Sequence, residues 1–307
     1  MKIITDNVRS DKIPELVASI GCFDGMHSGH AYLIHQIRKE ALRRKMKSAL
    51  ITFTVHPRKV IQTGYQPELL TSLPEKIELI DHTSVDYCVL LPFTEQLSKM
   101  TAKQFMSRLR KKYNVRSLVI GYDHRFGHDR LEGFEDYLAY GHEIGIKVIK
   151  AEGLTEKDVS VSSSVIRRLL KEGDIHNANV YLGYNYCLSG IVEDGFKIGR
   201  KLGFPTANLH VTCSDKLIPA RGVYAGYVNV ECQRYSCLVN IGYRPTFSEG
   251  KDLTIEINIL NFSGNIYRCL IKVELVEYIR PEEKFESAEE LINQIEKDVL
   301  KARKILK

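Results

Sequence analysis

The sequence predicts a doubly wound α/β domain followed by an antiparallel β-barrel that ends in one helix. Short apolar, β-branched runs alternate with helix-periodic segments through the first 185 or so residues. After that point strand-like runs follow one another, with only Gly, Pro and Asn turns between them. A length of 307 residues leaves room for two cores of ordinary size.

In chain order, LVASIG reads as a strand running into the glycine-rich GCFDGMHSGH (21–30). Beyond it Ala31, Leu33, Ile34, Ile37, Ala41 and Leu42 recur at helical spacing. SALITFTV is a strand, PEKIELIDH a helix, DYCVLLPF a strand and TAKQFMSRLRKKY an amphipathic helix. RSLVIGYD, FEDYLAYGHE and IKVIKAE repeat strand, helix, strand, and SSVIRRLLKEG and DIHNANVYLG close this half as two short helices. Short apolar strands separated by helices imply a parallel sheet covered on both faces. Next, SGIVEDG, TANLHV, GVYAGYVNV, RYSCLVNIG, TIEINILNF and CLIKVELVEY are strand-like, the pattern of a barrel. Ser287, with Glu290 three residues on, forms a capping box for AEELINQIEKDVLKARKIL. The expected domains are therefore 1–185 and 186–307, without a flexible linker.

Composition excludes several classes. Apolar residues at 44% and charged residues at 27% give the balance of a soluble globular protein. No apolar run reaches the roughly 18 residues of a membrane span, and MKIITDNVRS lacks the apolar core of a secretory leader. Seven widely spaced cysteines without a CxxC pair favour reduced thiols and a cytoplasmic location. A net charge of +6 suits an anionic ligand, but 44 basic and 38 acidic residues are well mixed. Small-molecule partners are expected, with no nucleic acid and no membrane, and the chain is expected to be a monomer or weak oligomer.

Two stretches carry chemistry. GCFDGMHSGH lies where a buried strand turns into a helix, the carboxyl edge at which open α/β sheets bind ligands. Its glycines allow close backbone approach, and the amides of the helix beginning near Ser28 attract phosphate. A zinc site would need further ligands, and no nearby Cys/His/Glu cluster has metal spacing. The lysine and Ser/Thr of a P-loop are missing as well. From the residues alone, a structural turn and a phosphate site both stand. In GRKLGFPTANL (199–209), Gly199 and Gly203 bracket a basic loop and Pro205 fixes the backbone before Thr206. If TAN is extended, Thr206 and Asn208 point the same way, as hard donors suited to Mg²⁺ carrying nucleotide phosphates. An ordinary turn leading into a strand is the other reading of the same residues.

Taken together these stretches resemble a known family. FDGMHSGH is similar to the (H/T)xGH signature of the nucleotidyltransferase superfamily, in the FDGxHxGH form typical of bacterial bifunctional riboflavin kinase/FAD synthetases. TFTVHP (52–57), LTSLPEKIELI (70–80), LPFTEQLSKMTAKQF (91–105), VIGYDHRFG (119–127) and VSSSVIRRLL (161–170) extend the likeness across the first domain. GRKLGFPTANL, PARGVYAG (219–226), NIGYRPTF (240–247), IEINILNFSGNIY (255–267) and IRPEEKFES (279–287) resemble the riboflavin kinase domain in order and spacing. The resemblance implies a Rossmann-like nucleotidyltransferase domain joined to a riboflavin kinase barrel. It implies that riboflavin and ATP give FMN, and that FMN and ATP give FAD and pyrophosphate.

It also implies residue roles. His27 and His30 would hold the ATP phosphates, with nucleotide or phosphate contacts from Gly21, Phe23, Asp24, Gly25, Gly29 and Asp123. Ser162, Ser163, Ser164 and Arg167 match the serine-rich element that grips the distal phosphates. In the second domain Gly199, Lys201, Gly203 and Pro205 would border the nucleotide, and Thr206 and Asn208 would ligate Mg²⁺. Glu256 would take the proton of the riboflavin 5′-hydroxyl, and Arg280 would contact the flavin. The chain departs from the family at Cys22, where Asn is usual, at Ser164 for Thr and at His124 for Phe. Asn261, Ser263, Asn265 and Arg268 stand where many relatives carry acidic residues and a glycine.

Overall fold

The structure, a computed structural model, describes residues 1–62, 64–121, 125–128, 132–152, 161–194, 199, 202–231, 233–243 and 253–307. Asp123, His124 and Lys201 lie outside the described residues. The chain divides into two compact units, Met1–Ser163 and Ser164–Lys307.

The first unit is built on β1 (Lys2–Ile4), β2 (Leu16–Ile20), β3 (Lys47–Phe53), β4 (Tyr87–Leu91), β5 (Val115–Ile120) and β6 (Lys147–Lys150). They form one six-stranded sheet in the order β1-β4-β3-β2-β5-β6, parallel throughout. Between the strands run α1 (Ser28–Arg44), α2 (Pro57–Ile61), α3 (Leu73–His82), α4 (Glu95–Ser98), α5 (Ala102–Lys112) and α6 (Phe134–Ile144). Successive strand residues point to opposite faces, so the sheet feeds two apolar layers. Leu16, Ala18 and Ile20 pack with Phe105, Met106, Leu109 and Tyr137 of α5 and α6. Val17, Leu50 and Val119 pack with Ile34, Ile37 and Ala41 of α1 and Ile80 of α3. The alternating grammar of the sequence is thus the parallel sheet it predicted. The edge strand β1 was not legible, because three residues are too few to carry a period.

The second unit begins in α7 (Ser163–Glu172), continues through α8 (Ile175–Leu182), and then forms β7 (Tyr186–Glu193), β8 (Ala207–Val211), β9 (Gly222–Val230), β10 (Gln233–Tyr243), β11 (Leu253–Ile259), β12 (Leu270–Arg280) and α9 (Ala288–Ile305). The strands close an antiparallel barrel in the order β10-β11-β8-β7-β12-β9, as the turn-punctuated pattern implied. The two helices before the barrel pack with it. The Ala220 amide donates to the Leu170 carbonyl at 2.9 Å, and the Asn179 side chain donates to the Leu275 carbonyl at 2.8 Å and accepts from the Tyr186 amide at 2.7 Å. The compact units therefore divide at the first residue of α7, whereas the sequence changes grammar only at 186.

Helix α9 covers part of the barrel, burying Ala302 and Leu306 with Val223, Ala225, Leu238 and Ile279. Its Ser287 cap accepts from the Glu290 amide at 3.1 Å. A charged tie reinforces this packing: Arg280 of β12 donates from Nε to both oxygens of Asp298, at 3.1 and 2.9 Å. The Arg280 and Asp298 side chains are only 13% and 4% exposed, and Gln294 donates to the same carboxylate at 2.9 Å. No helix among the described residues is long and apolar enough to cross a membrane.

Asp298→Asn removes the nearer of the two carboxylates that pair with Arg280, leaving Glu283 at 3.8 Å. The cost is therefore expected to stay below the ~3–5 kcal/mol of a fully unpaired buried charge. The expected outcome is a lower urea midpoint by far-ultraviolet circular dichroism; an unchanged midpoint would contradict the assignment of this tie.

Candidate active sites

Strand order reverses at the middle of the parallel sheet. From β2 the chain moves outward through β3 and β4, then returns to β5 on the other side of β2. The carboxyl ends of β2 and β5 therefore frame the crevice where open α/β sheets take ligands, and GCFDGMHSGH leaves β2 there.

The turn is conformationally demanding. Phe23 (φ 48°), Gly25 (φ 80°) and Met26 (φ 39°) are all left-handed, which costs a non-glycine residue about 1–2 kcal/mol. Burial of the Phe23 and Met26 side chains in the layer under α1 offsets that cost. The Asp24 carboxylate accepts from the amides of Leu70 and Thr71, each at 3.0 Å, and from the Thr71 hydroxyl at 3.2 Å. The Gly25 amide in turn donates to the Thr71 hydroxyl at 3.1 Å. These contacts let the buried Asp24 carboxylate, expected at the nucleotide, also brace the turn.

Beyond the turn His27 caps α1 in extended conformation (φ −65°, ψ 171°), without a side-chain cap bond. Its ring stacks on His30, with centroids 3.7 Å apart and planes 21° from parallel, and His30 meets Phe23 edge-on at 5.2 Å. Gly29 is what permits this: a Cβ there would stand 3.2 Å from the His27 ring. The amides of the first turn of α1 have no intrahelical acceptor, and the buried Ser28 hydroxyl has no hydrogen-bond partner among the described residues. Gly21 joins the turn to the sheet by donating to the Ile51 carbonyl at 3.0 Å.

The serine-rich element is split by the division of the chain. The Ser163 hydroxyl donates to the Asp24 carbonyl at 2.9 Å, and Ser162 directly precedes it. Ser164 and Arg167 belong to the second unit, where with Arg168, Lys171 and Glu172 they line a cavity along α7.

One residue of the first site was missed in the sequence. Lys76, on α3, donates its ammonium to the Cys22 carbonyl at 3.2 Å, the Thr52 hydroxyl at 3.2 Å and the Phe53 carbonyl at 3.1 Å. Burial lowers its pKa from the ordinary lysine value. With Cys22, Asp24, Phe53, His56 and Thr71 it lines a small pocket beside the turn.

The second site is on the outer face of the barrel. Along β11 buried Ile255, Ile257 and Ile259 alternate with half-buried Thr254, Glu256 and Asn258. Glu256 stands opposite Asn208 of β8 on one side and Asn240 of β10 on the other. The Thr206 hydroxyl donates to its carboxylate at 3.3 Å, so Thr206, Asn208 and Glu256 converge although about 50 residues separate them. The loop before them is held in two ways. The Asn258 side chain donates to the Pro205 carbonyl at 2.8 Å, and the Phe204 amide donates to the Gly199 carbonyl at 2.8 Å. A Cβ at Gly199 would fall 2.4 Å from the Phe204 carbonyl oxygen; Gly203, at φ 85°, is the left-handed corner of the same loop.

Two further expectations meet the geometry here. Arg280, expected at the flavin, has its guanidinium engaged by Asp298 and by the Pro281 carbonyl at 3.0 Å, and so also ties β12 to α9. In the changed 261–268 loop, Asn261 accepts from Arg303 of α9 at 3.1 Å. Among the described residues no group of three or more His, Cys, Asp or Glu could hold a metal ion.

Known proteins match both halves. The FAD synthetase family model covers residues 10–165 and the riboflavin kinase model residues 182–306. A bifunctional riboflavin kinase/FMN adenylyltransferase from Bacillus subtilis (strain 168) is 36% identical over 288 residues, covering 92% of this chain and 90% of that protein. One from Escherichia coli (strain K12) is 33% identical over 307 residues, covering 99% and 97%. The crystal structure of a macrolide-efflux protein from Streptococcus pneumoniae has the same fold along its length, with a TM-score of 0.89, 28% identity and 99% of each chain covered. Two domains matched in sequence order, with relatives that run the length of both, leave one conclusion: the chain belongs to the bifunctional riboflavin kinase/FMN adenylyltransferase family.

Proposed function

We infer that this chain makes FAD in two ATP-dependent steps, phosphorylating riboflavin to FMN in residues 186–307 and adenylylating FMN in residues 1–185. The observation that carries this reading is the convergence of Thr206, Asn208 and Glu256 on one barrel face, in a chain whose parallel sheet presents a stacked His27–His30 pair at a helix N-terminus.

In the first step the Glu256 carboxylate accepts the proton of the riboflavin 5′-hydroxyl as that oxygen attacks the γ-phosphorus of ATP, and ADP leaves. Thr206 and Asn208 supply hard oxygen donors beside a carboxylate, without a competing His/Cys cluster among the described residues. That donor set fits Mg²⁺ carried by the nucleotide, which keeps most of its ligands from phosphate and water. When bound there, the ion supplies charge neutralisation for the transferred phosphoryl group. Glycine-bounded Gly199–Gly203 and Pro205 present the backbone to the nucleotide.

In the second step an FMN phosphate oxygen attacks the α-phosphorus of ATP in line, and pyrophosphate leaves. No covalent enzyme intermediate is needed, so the site contributes position and charge. His27 and His30, the first-turn amides of α1, Ser162 and Ser163 are the groups the first unit offers to the phosphates, and the match to the family's serine-rich element adds Ser164 and Arg167 from sequence. Asp123 completes the nucleotide contacts in this reading. The free cysteines, among them Cys22, Cys88 and Cys237, fit a reducing cytoplasmic setting. Monomeric or weakly oligomeric action on small molecules is sufficient for both reactions.

Purified protein given riboflavin, ATP and Mg²⁺, with the flavins resolved by chromatography, is expected to yield FMN and then FAD. FMN that accumulates without FAD would remove the adenylyl-transfer assignment. Glu256→Ala should abolish FMN formation and leave the conversion of supplied FMN to FAD intact, while His27→Ala and His30→Ala should do the reverse. If all three variants retained both rates, the residue roles would be wrong. Thr206→Val should raise the Mg²⁺ concentration needed for half-maximal phosphorylation of riboflavin, with adenylyl transfer unaffected; an unaltered Mg²⁺ dependence would exclude Thr206 as a ligand.

A further inference from the structure

The turn that offers His27 and His30 contains two non-glycine residues in left-handed backbone, Phe23 and Met26. Such a turn persists only where its surroundings over-determine it, and α1 cannot hold it with amides that must face a ligand. The restraint comes from the segment LTSLPEK (70–76). Its first residues take the Asp24 carboxylate. Its last, Lys76, reaches the other side of the turn.

The Lys76 ammonium has three protons, and each has an acceptor: the Cys22 carbonyl, the Thr52 hydroxyl and the Phe53 carbonyl. The Thr52 hydroxyl also donates to the Cys22 carbonyl at 3.2 Å. One cation thus joins the residue that leaves β2 to the last residues of β3, directly before Phe23. Lys76 is itself well placed, two residues past a proline and one past the Glu75 that closes a capping box with Ser72. Neutral or weakly bonding side chains could fill the same space but could not satisfy two backbone carbonyls and a hydroxyl at once.

We propose that Lys76 is a positioning residue for adenylyl transfer, fixing the Cys22 carbonyl against the end of β3 so that the left-handed turn presents His27 and His30 in one place. This rests on adenylyl transfer being seated at that turn. The lysine touches no substrate; it acts through the backbone. Displacing a reacting group by about 1 Å is enough to lower turnover about 100-fold.

The groups that act on Lys76 are the Cys22 and Cys88 thiols and the Asp24 carboxylate, and His56 lines the same pocket. Burial lowers the lysine pKa, while it raises that of the Cys88 thiol to about 11. Deprotonation would remove one of the three donors and the charge, so FAD formation should fall as pH rises through the lowered lysine value. Arginine stays charged at any pH the protein tolerates.

The test uses the full chain, with FMN-to-FAD and riboflavin-to-FMN conversion measured separately. Lys76→Met is expected to lower kcat for FAD formation about 100-fold, with a much smaller change in KM for ATP and an unchanged riboflavin kinase rate. Lys76→Arg is expected to recover most of the turnover and to move the alkaline fall in kcat to higher pH; a fall that belonged to Cys22 or Cys88 would stay where it was. Wild-type kcat in Lys76→Met overturns the proposal, as does an alkaline limb that coincides in Lys76→Arg and wild type. Should Lys76→Met lose both activities by failing to fold, the Lys76→Arg profile decides. If His27→Ala and His30→Ala left FAD formation untouched, the location of adenylyl transfer would fail instead, a result distinct from either outcome at Lys76.

Discussion

A helix that offers its first amides to an anion cannot use those amides to secure its own entry turn. Between β2 and α1 that constraint is severe, because the turn has to reverse within a few residues and places Phe23 and Met26 in unfavourable backbone. The fold meets it from the side. Two aromatic or thioether side chains are sunk into the layer below, one carboxylate gathers the amides at 70–71, and one ammonium gathers carbonyls at the ends of two neighbouring strands. Acceptors and donors are thereby exchanged away from the ligand face, which leaves α1 its positive end.

The barrel solves a different problem. Proton abstraction from a hydroxyl needs a carboxylate held near a phosphate chain, and those two repel one another. The outer face of an antiparallel sheet puts neutral groups around that carboxylate: Glu256 sits on β11 opposite Asn208 of β8, and Thr206, just before β8, donates to its carboxylate. The first unit needs no base, because the attacking group there is already an anion. Its chemistry can be done with histidines, amides and hydroxyls. The two reactions make opposite demands on local charge, a physical reason for two sites in place of one.

Much of this was legible in sequence because it is local. Alternating strands and helices, the glycine-rich stretch after β2, and the PTAN loop each carry their own period or turn chemistry. What escaped depends on contacts across long intervals. Lys76 reads as an ordinary solvent-facing residue in a helical pattern, and its three acceptors lie 23 to 54 positions away. Asp24 belongs to a signature, yet its partners at 70–71 give it a structural duty that spacing could not reveal. Arg280 looked available at the end of a strand, and only the docking of α9 places Asp298 upon it. The helices before the barrel are written in the grammar of the first half, but their hydrogen bonds run to the second.

The alternation along β11 has one more consequence. Glu256 is flanked by Ile255 and Ile257, which point the opposite way into the barrel core. Slipping this strand by a single residue would bury the glutamate and turn the isoleucines outward. A compact but mispaired barrel is therefore excluded by the same burial that closes it. Placement of Glu256 is inherited from stability, so under the role proposed for it folding itself acts as a quality check on catalysis.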